Sequence, residues 1–154
     1  TITGTIITRY ENAFAAIPLL VSFIPMLMDT GGNCGSQSST LIIRGIALGE
    51  IQFSDLFRVM FKECRVSLIV GVALALANGI RILIIYKNAG LALVIGLSLV
   101  ATIVISKLIG CVLPLIAKKL HMDPAIMASP LITTLVDTCS ILIYFNIATQ
   151  VFQL

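Results

Sequence analysis

Long apolar runs, separated by short charged or turn-forming segments, set the pattern of this chain. Residues 1–11, TITGTIITRYE, hold an apolar run too short to cross a membrane at ~1.5 Å of helical rise per residue. They read as the tail of a helix that begins upstream. Four further stretches, 12–48, 64–86, 88–117 and 124–153, reach the ~20 residues that a spanning helix needs. The first of these is too long for one plain span. Pro18, Pro25 and the run Thr30, Gly31, Gly32, Asn33 punctuate it, which predicts a kinked or locally opened helix. Between it and the next span, Phe53, Leu56, Phe57, Met60 and Phe61 recur at i, i+3, i+4, i+7 and i+8, while Glu50, Asp55, Arg58, Lys62 and Glu63 occupy other positions. That spacing predicts an amphipathic helix over 50–63, lying in the membrane interface. Asp123 and Pro124 form a helix start, with the carboxylate as N-cap and proline at the first helical position.

Composition decides the class. Of 154 residues, 58% are hydrophobic and only 11% charged, and the mean hydropathy is +1.10. No soluble domain of this size carries so little charge, so the whole chain, 1–154, is expected to be one all-α integral membrane domain whose solvent is the lipid bilayer. With no basic arm and no cluster of basic and aromatic residues, nucleic acid is not an expected partner. Cys34, Cys64, Cys111 and Cys139 have no CxxC spacing and lie in or beside apolar segments, which favours reduced, lipid-packed thiols. His121 stands alone in the 118–123 loop, without a second ligand or nucleophile. Arg44, Arg58, Lys62, Arg65, Lys118 and Lys119 gather on one side of the membrane, against Arg9, Arg81 and Lys87 on the other. Positive-inside counting therefore puts 49–63 and 118–123 in the cytoplasm and the C-terminus outside.

Against this apolar background the intramembrane charges carry the chemistry. Asp137 is the only charged residue between Pro124 and Leu154. A carboxylate at bilayer depth is unfavourable by ~2.5–3.5 kcal/mol on insertion scales, so it is expected to face water, an ion or a partner charge. Ser129, Thr133, Asp137, Ser140 and Tyr144 follow at spacings of 4, 4, 3 and 4, one helix face on which hydroxyls flank the carboxylate. Pro130 lacks a backbone donor, which would free the carbonyl near Ile126. A second stripe, Asp29, Gly32, Asn33, Ser36, Gln37 and Thr40, runs along the 12–48 helix, and Asp29 lies about as deep as Asp137. The glycines there admit two readings: close helix packing, as in the GxxxG pairs Gly31/Gly35 and Gly45/Gly49, or carbonyls freed toward a cavity. Lys107 lies ~15 Å into the membrane from the Lys118/Lys119 pair. It is expected either to snorkel or to contact a helix carbonyl, with pairing to Asp29 or Asp137 as the alternative.

These residues carry a family resemblance. The run PMLMDTGGNCGSQSSTLIIRGIALGEI over 25–51, with LPLIAKKLHMDPAIMASPLITTLVDTCSILIYF over 113–145, resembles the MgtE family of magnesium channels. The resemblance implies five membrane helices per subunit, the first truncated here, and a homodimer with its pore at the dimer interface. It further implies Mg²⁺ conducted down its electrochemical gradient through a pore lined by the helices 12–48 and 124–153. By that resemblance the selectivity carboxylate is Asp137, with the backbone carbonyl of Thr133 as its companion. Asp29, Gly32, Asn33, Gln37, Ser129, Thr134 and Ser140 are further lining candidates. Regulated members of the family carry cytosolic sensor domains before the membrane domain, and this segment is expected to be the membrane domain alone, in a bacterial cytoplasmic membrane.

Two other classes fit some of the pattern. A secondary transporter coupling a divalent cation to Na⁺ or H⁺ also wants a midplane carboxylate and broken helices. A structural membrane subunit would use Asp137 and Lys107 as an assembly ion pair. An enzyme is not expected: no GxSG motif occurs and the only histidine lies in a loop. Hard oxygen ligands would accept Mn²⁺, Co²⁺ or Ni²⁺ as well as Mg²⁺.

Overall fold

Four long helices follow one another in the computed structural model, which describes residues 4–5, 18–127 and 130–153. A 3₁₀ turn, Pro18–Phe23, leads into α1, Ile24–Ala47; α2 is Leu56–Tyr86, α3 is Ala89–Lys119, and α4 is Pro130–Phe152. No strand occurs among the described residues. Three stretches, Phe53–Tyr86, Ala89–Lys119 and Pro130–Phe152, are long and apolar enough to cross a membrane, which makes this a multi-pass membrane protein. At 24 residues α1 has the length, but its polar middle keeps it out of that group. Of the expected remnant 1–11 only Gly4 and Thr5 are described, and they are helical.

The structure departs from the sequence pattern at three helix ends. First, α1 runs unbroken through Gly31 and Gly32, and it is preceded, within the described part of the 12–48 stretch, by the 3₁₀ turn Pro18–Phe23. Pro25 stands in the first turn of α1, where a missing N–H costs no helical hydrogen bond. Second, 50–63 is not a separate helix. A short turn, Phe53–Asp55, closed by the Gln52 N–H donating to Asp55 Oδ2 at 3.1 Å, feeds a helix that continues past residue 64 to Tyr86. Nothing between Leu56 and Val70 is glycine or proline, so nothing interrupts it. Third, Asp123 does cap, accepting the Ala125 N–H at 2.9 Å, but it caps a 3₁₀ turn, Pro124–Met127, rather than the long helix. Among the described residues α4 begins at Pro130. Ser129 lies outside the described residues.

Central in the bundle, α3 packs against α1, α2 and α4, and α1 also packs on α4. Half of the most apolar stretch of α3 is buried, against 11% of that of α2, so α2 is the outermost helix. The α2–α3 hairpin turns on two residues. Lys87 takes a left-handed φ of 51°, and Asn88 Oδ1 caps α3 by accepting the Leu91 N–H at 3.0 Å.

Small side chains set how close α1 comes. Ser98, Thr102, Ser106 and Gly110 recur every fourth residue on α3 and are all buried. Against them lie Gly31 and Gly35 of α1, where an added Cβ would stand 2.8 Å from Thr102 Cγ2 and 2.9 Å from Ile132 Cγ2 respectively. At Gly110 an added Cβ would run into the Gly35 carbonyl. Thus Gly31 and Gly35 serve close packing, the first of the two readings. Gly45 and Gly49 do not form such a face: Gly45 sits under Ile51, and Gly49, at φ 73°, makes the turn that ends α1. The bundle is tied at one end by Tyr144, whose buried hydroxyl donates to the Leu20 carbonyl at 2.8 Å. At the other end Ile42, Cys111 and Leu115 form a second apolar cluster. All four cysteines are free thiols, and His121 lies in the turn after α3 with a left-handed φ of 58°.

Candidate functional site

With Gly31, Gly35, Ser38 and Ile42 turned into the bundle, helical periodicity puts Asp29, Asn33, Gln37 and Thr40 on the outer side of α1, where all four are exposed. At one level this polar face meets α4. Met28, Asp29, Gly32 and Asn33 of α1 and Thr133 and Asp137 of α4 line a cleft of about 190 Å³. At Gly32 the helices are close enough that an added Cβ would come into van der Waals contact with Thr133 Cγ2, at 3.4 Å. Five of the residues expected from sequence thus come together: Asp29, Gly32, Asn33, Thr133 and Asp137.

The remaining candidates stand elsewhere. Gln37 is exposed one turn beyond Asn33, on the same outer face but not on the cleft wall. Thr134 is exposed and donates to the Pro130 carbonyl at 2.8 Å, a bond that the Thr133 hydroxyl shares at 3.1 Å. Ser140 is buried, its hydroxyl donating to the Val136 carbonyl at 2.6 Å. The stripe on α4 therefore divides. The division is along the helix and not around it: Thr133 and Asp137 line the cleft, while Ser140 and Tyr144, one and two turns further on, are buried in the bundle.

A second charged group was not read from sequence in this form. Lys107 neither snorkels nor reaches Asp29 or Asp137. Its Nζ lies 3.2 Å from Glu63 Oε2 and 3.2 Å from Ser38 Oγ, and the Ser38 hydroxyl donates to the same carboxylate oxygen at 2.6 Å. Lys107 and Glu63 are 5% and 7% exposed, so the pair is internal and joins α1, α2 and α3. The sequence did hold a signal for it. On α2, Glu63, Ser67 and Gly71 fall every fourth residue, and they are the buried positions of its first half, whereas Arg58, Lys62 and Arg65 are exposed. A lysine neutralised inside the bundle does not oppose the carboxylates of the cleft.

The donors in the cleft are two carboxylates, an amide and threonine oxygens, all hard oxygen chemistry suited to a hard dication. Among the described residues no three His, Cys, Asp or Glu side chains come together.

Fold and cleft together define a multi-pass helical membrane protein with two carboxylates on a cleft between two of its helices. Comparison with known proteins makes the class specific: the sequence model of the MgtE family, "Divalent cation transporter", matches residues 24–147. The chain belongs to the MgtE family. It is 40% identical to the magnesium transporter MgtE of Bacillus subtilis (strain 168) over 148 residues, 96% of this chain and 33% of that protein. The magnesium transporter MgtE of Thermus thermophilus is 36% identical over 148 residues, again 96% of this chain and 32% of its own length. That of Enterococcus faecalis is 34% identical over the same share, 33% of its length. The chain thus spans about a third of the length of the curated relatives it matches. The family resemblance carried by the 25–51 and 113–145 runs is borne out.

Proposed function

We propose that this chain forms the membrane path of a magnesium transporter, through which hydrated Mg²⁺ moves down its electrochemical gradient between two copies of the chain. The observation that carries the reading is the meeting of Asp29, Asn33, Thr133 and Asp137 around one cleft on the outer side of α1 and α4. In a bilayer such a polar face is unfavourable against lipid tails, and burial against its own copy across a two-fold axis gives it a wet interior to face. The same symmetry doubles Asp137.

Mg²⁺ holds its water shell tightly and usually keeps several waters. Paired Asp137 carboxylates would bind the hydrated ion through outer-shell hydrogen bonds, with Thr133 carbonyls contacting the same waters. Asp29 and Asn33 add charge and a polar contact one helix away. Because the ion is not stripped, it avoids the dehydration cost and leaves again readily; two carboxylates favour divalent ions, and pore width sorts them by hydrated size. Mn²⁺, Co²⁺ and Ni²⁺ offer the same outer shell and would compete. The positive-inside count orients the Lys118/Lys119 turn to the cytoplasm and the C-terminus outside.

The mode of transport is tested in proteoliposomes loaded with a Mg²⁺ indicator. Entry that follows the Mg²⁺ gradient and the membrane potential alone is the expected result. Entry that requires an opposing Na⁺ or pH gradient would replace this reading with a coupled transporter.

A further inference from the structure

We infer that the N-terminal half of α2 is a binding site for an anionic phospholipid, whose phosphate sits among Arg58, Lys62 and Arg65 and whose acyl chain runs down the outer face of the helix. The site has two joined parts. The first is a cleft of about 320 Å³ lined by Arg58, Phe61, Lys62, Arg65, Val66 and Ile69, three cations and no acid on its wall. Arg58, Lys62 and Arg65 are all exposed and fall at i, i+4 and i+7, on one side of the helix. Asp55 stands 3.8 Å from the Arg58 guanidinium, at the limit of an ion pair, and the Arg58 side chain remains 87% exposed. Arg65 lies over the Phe61 ring at 6.0 Å, an arrangement that helps to orient its guanidinium.

The second part is a wholly apolar groove lined by Leu68, Ile69, Val72, Ala73 and Leu76. Ile69 belongs to both walls, so the charged cleft opens directly into the apolar groove. Ile69 is 73% exposed and Leu76 62% exposed, and α2 is the least buried of the three apolar helices. From Arg65 to Leu76 is eleven residues, or ~16 Å of helix, about half of a ~30 Å hydrocarbon core. That is the depth of one leaflet. A headgroup cleft followed by an apolar track one leaflet long matches the shape of a phospholipid. The three positive charges select a net-anionic headgroup over a zwitterionic one.

The test is native mass spectrometry of the purified chain released from detergent, titrated with dioleoylphosphatidylglycerol and, separately, dioleoylphosphatidylcholine. Saturable binding of the anionic lipid with weak binding of the zwitterionic one is expected. Arg58→Gln/Lys62→Gln/Arg65→Gln should weaken the anionic lipid about 100-fold, at about fivefold for each basic residue near a membrane surface. Val72→Trp, which fills the apolar groove and leaves the charges intact, should weaken it too. Equal binding of the two lipids by the unmodified chain overturns the inference without reference to any variant. So does unchanged binding in the triple variant. Displacement of the lipid by millimolar inorganic phosphate would also overturn it, since it would reduce the site to a phosphate cluster.

Discussion

Two aspartates and one lysine lie deep in the apolar part of this chain, and the structure treats them differently. Lys107 is compensated inside the bundle by Glu63 and Ser38, whereas Asp29 and Asp137 open onto a cleft between α1 and α4. Removing one member of a buried pair leaves an uncompensated charge, at a cost of ~3–5 kcal/mol, while replacing both with apolar groups of similar size is often neutral. Glu63→Gln or Lys107→Met alone should therefore lower the unfolding midpoint in detergent sharply, and Glu63→Met/Lys107→Met should recover most of it. Additive losses in the double variant would show that the two residues do not act as a pair. Sequence exposed Asp137 and Asp29 because each is a charge among apolar neighbours. It marked the partner of Lys107 only weakly: Glu63 heads the Glu63, Ser67, Gly71 spacing on α2, but it stands 44 residues away among other charged residues of the 50–63 segment, and tertiary packing selects it.

At the scale of the elements, closeness between α1 and α3 rests on glycine. A methyl group on Gly110 would meet the Gly35 carbonyl, and one on Gly35 would stand 2.9 Å from Ile132 Cγ2 and 3.2 Å from the Ser106 carbonyl. Gly110→Ala should destabilise the bundle by ~1–3 kcal/mol through overpacking. Gly79→Ala, where no atom lies within 4 Å of the added carbon, should be neutral or stabilising by up to ~1 kcal/mol through helix propensity. Thermal unfolding of the two variants side by side checks this, and equal shifts would contradict the packing account. Helix identity along the chain was legible from hydrophobic runs, because length and apolarity decide it. Helix ends were less so. Asp123 and Pro124 looked like the start of a long helix, yet the same cap serves a short 3₁₀ turn, and the choice between them depends on how the turn packs on α3. The glycine cluster looked like a helix opening and became a packing face, because which side of α1 is buried is settled only when α3 presents its own stripe of small residues.

For the whole molecule, the outer polar face of α1 has to be covered. Gln37→Cys should form disulfide-linked dimers on mild oxidation in membranes if a second copy covers it, while Leu76→Cys on the lipid-facing side of α2 should not. The reverse pattern would move the subunit contact to α2. Composition alone made the chain a multi-pass helical membrane protein, and the two sequence runs pointed to its family. The meeting of Asp29, Asn33, Thr133 and Asp137 in one cleft was only partly legible, since each stripe marks a helix face and not the distance between helices. The α4 stripe even overreached, carrying Ser140 and Tyr144 that the structure turns inward.

The proposal that the Asp137 carboxylate lies on the ion path is tested most directly by Mg²⁺ uptake into proteoliposomes under an imposed Mg²⁺ gradient, comparing the unmodified chain with Asp137→Asn at matched dimer content. Asparagine keeps the size of the side chain and removes its charge, so folding is preserved and a divalent ion loses its counter-charge. Uptake by the unmodified chain, reduced at least tenfold in Asp137→Asn, a loss of ~1.4 kcal/mol or more, is the predicted result. Uptake in Asp137→Asn equal to that of the unmodified chain would contradict the account and take this carboxylate off the path.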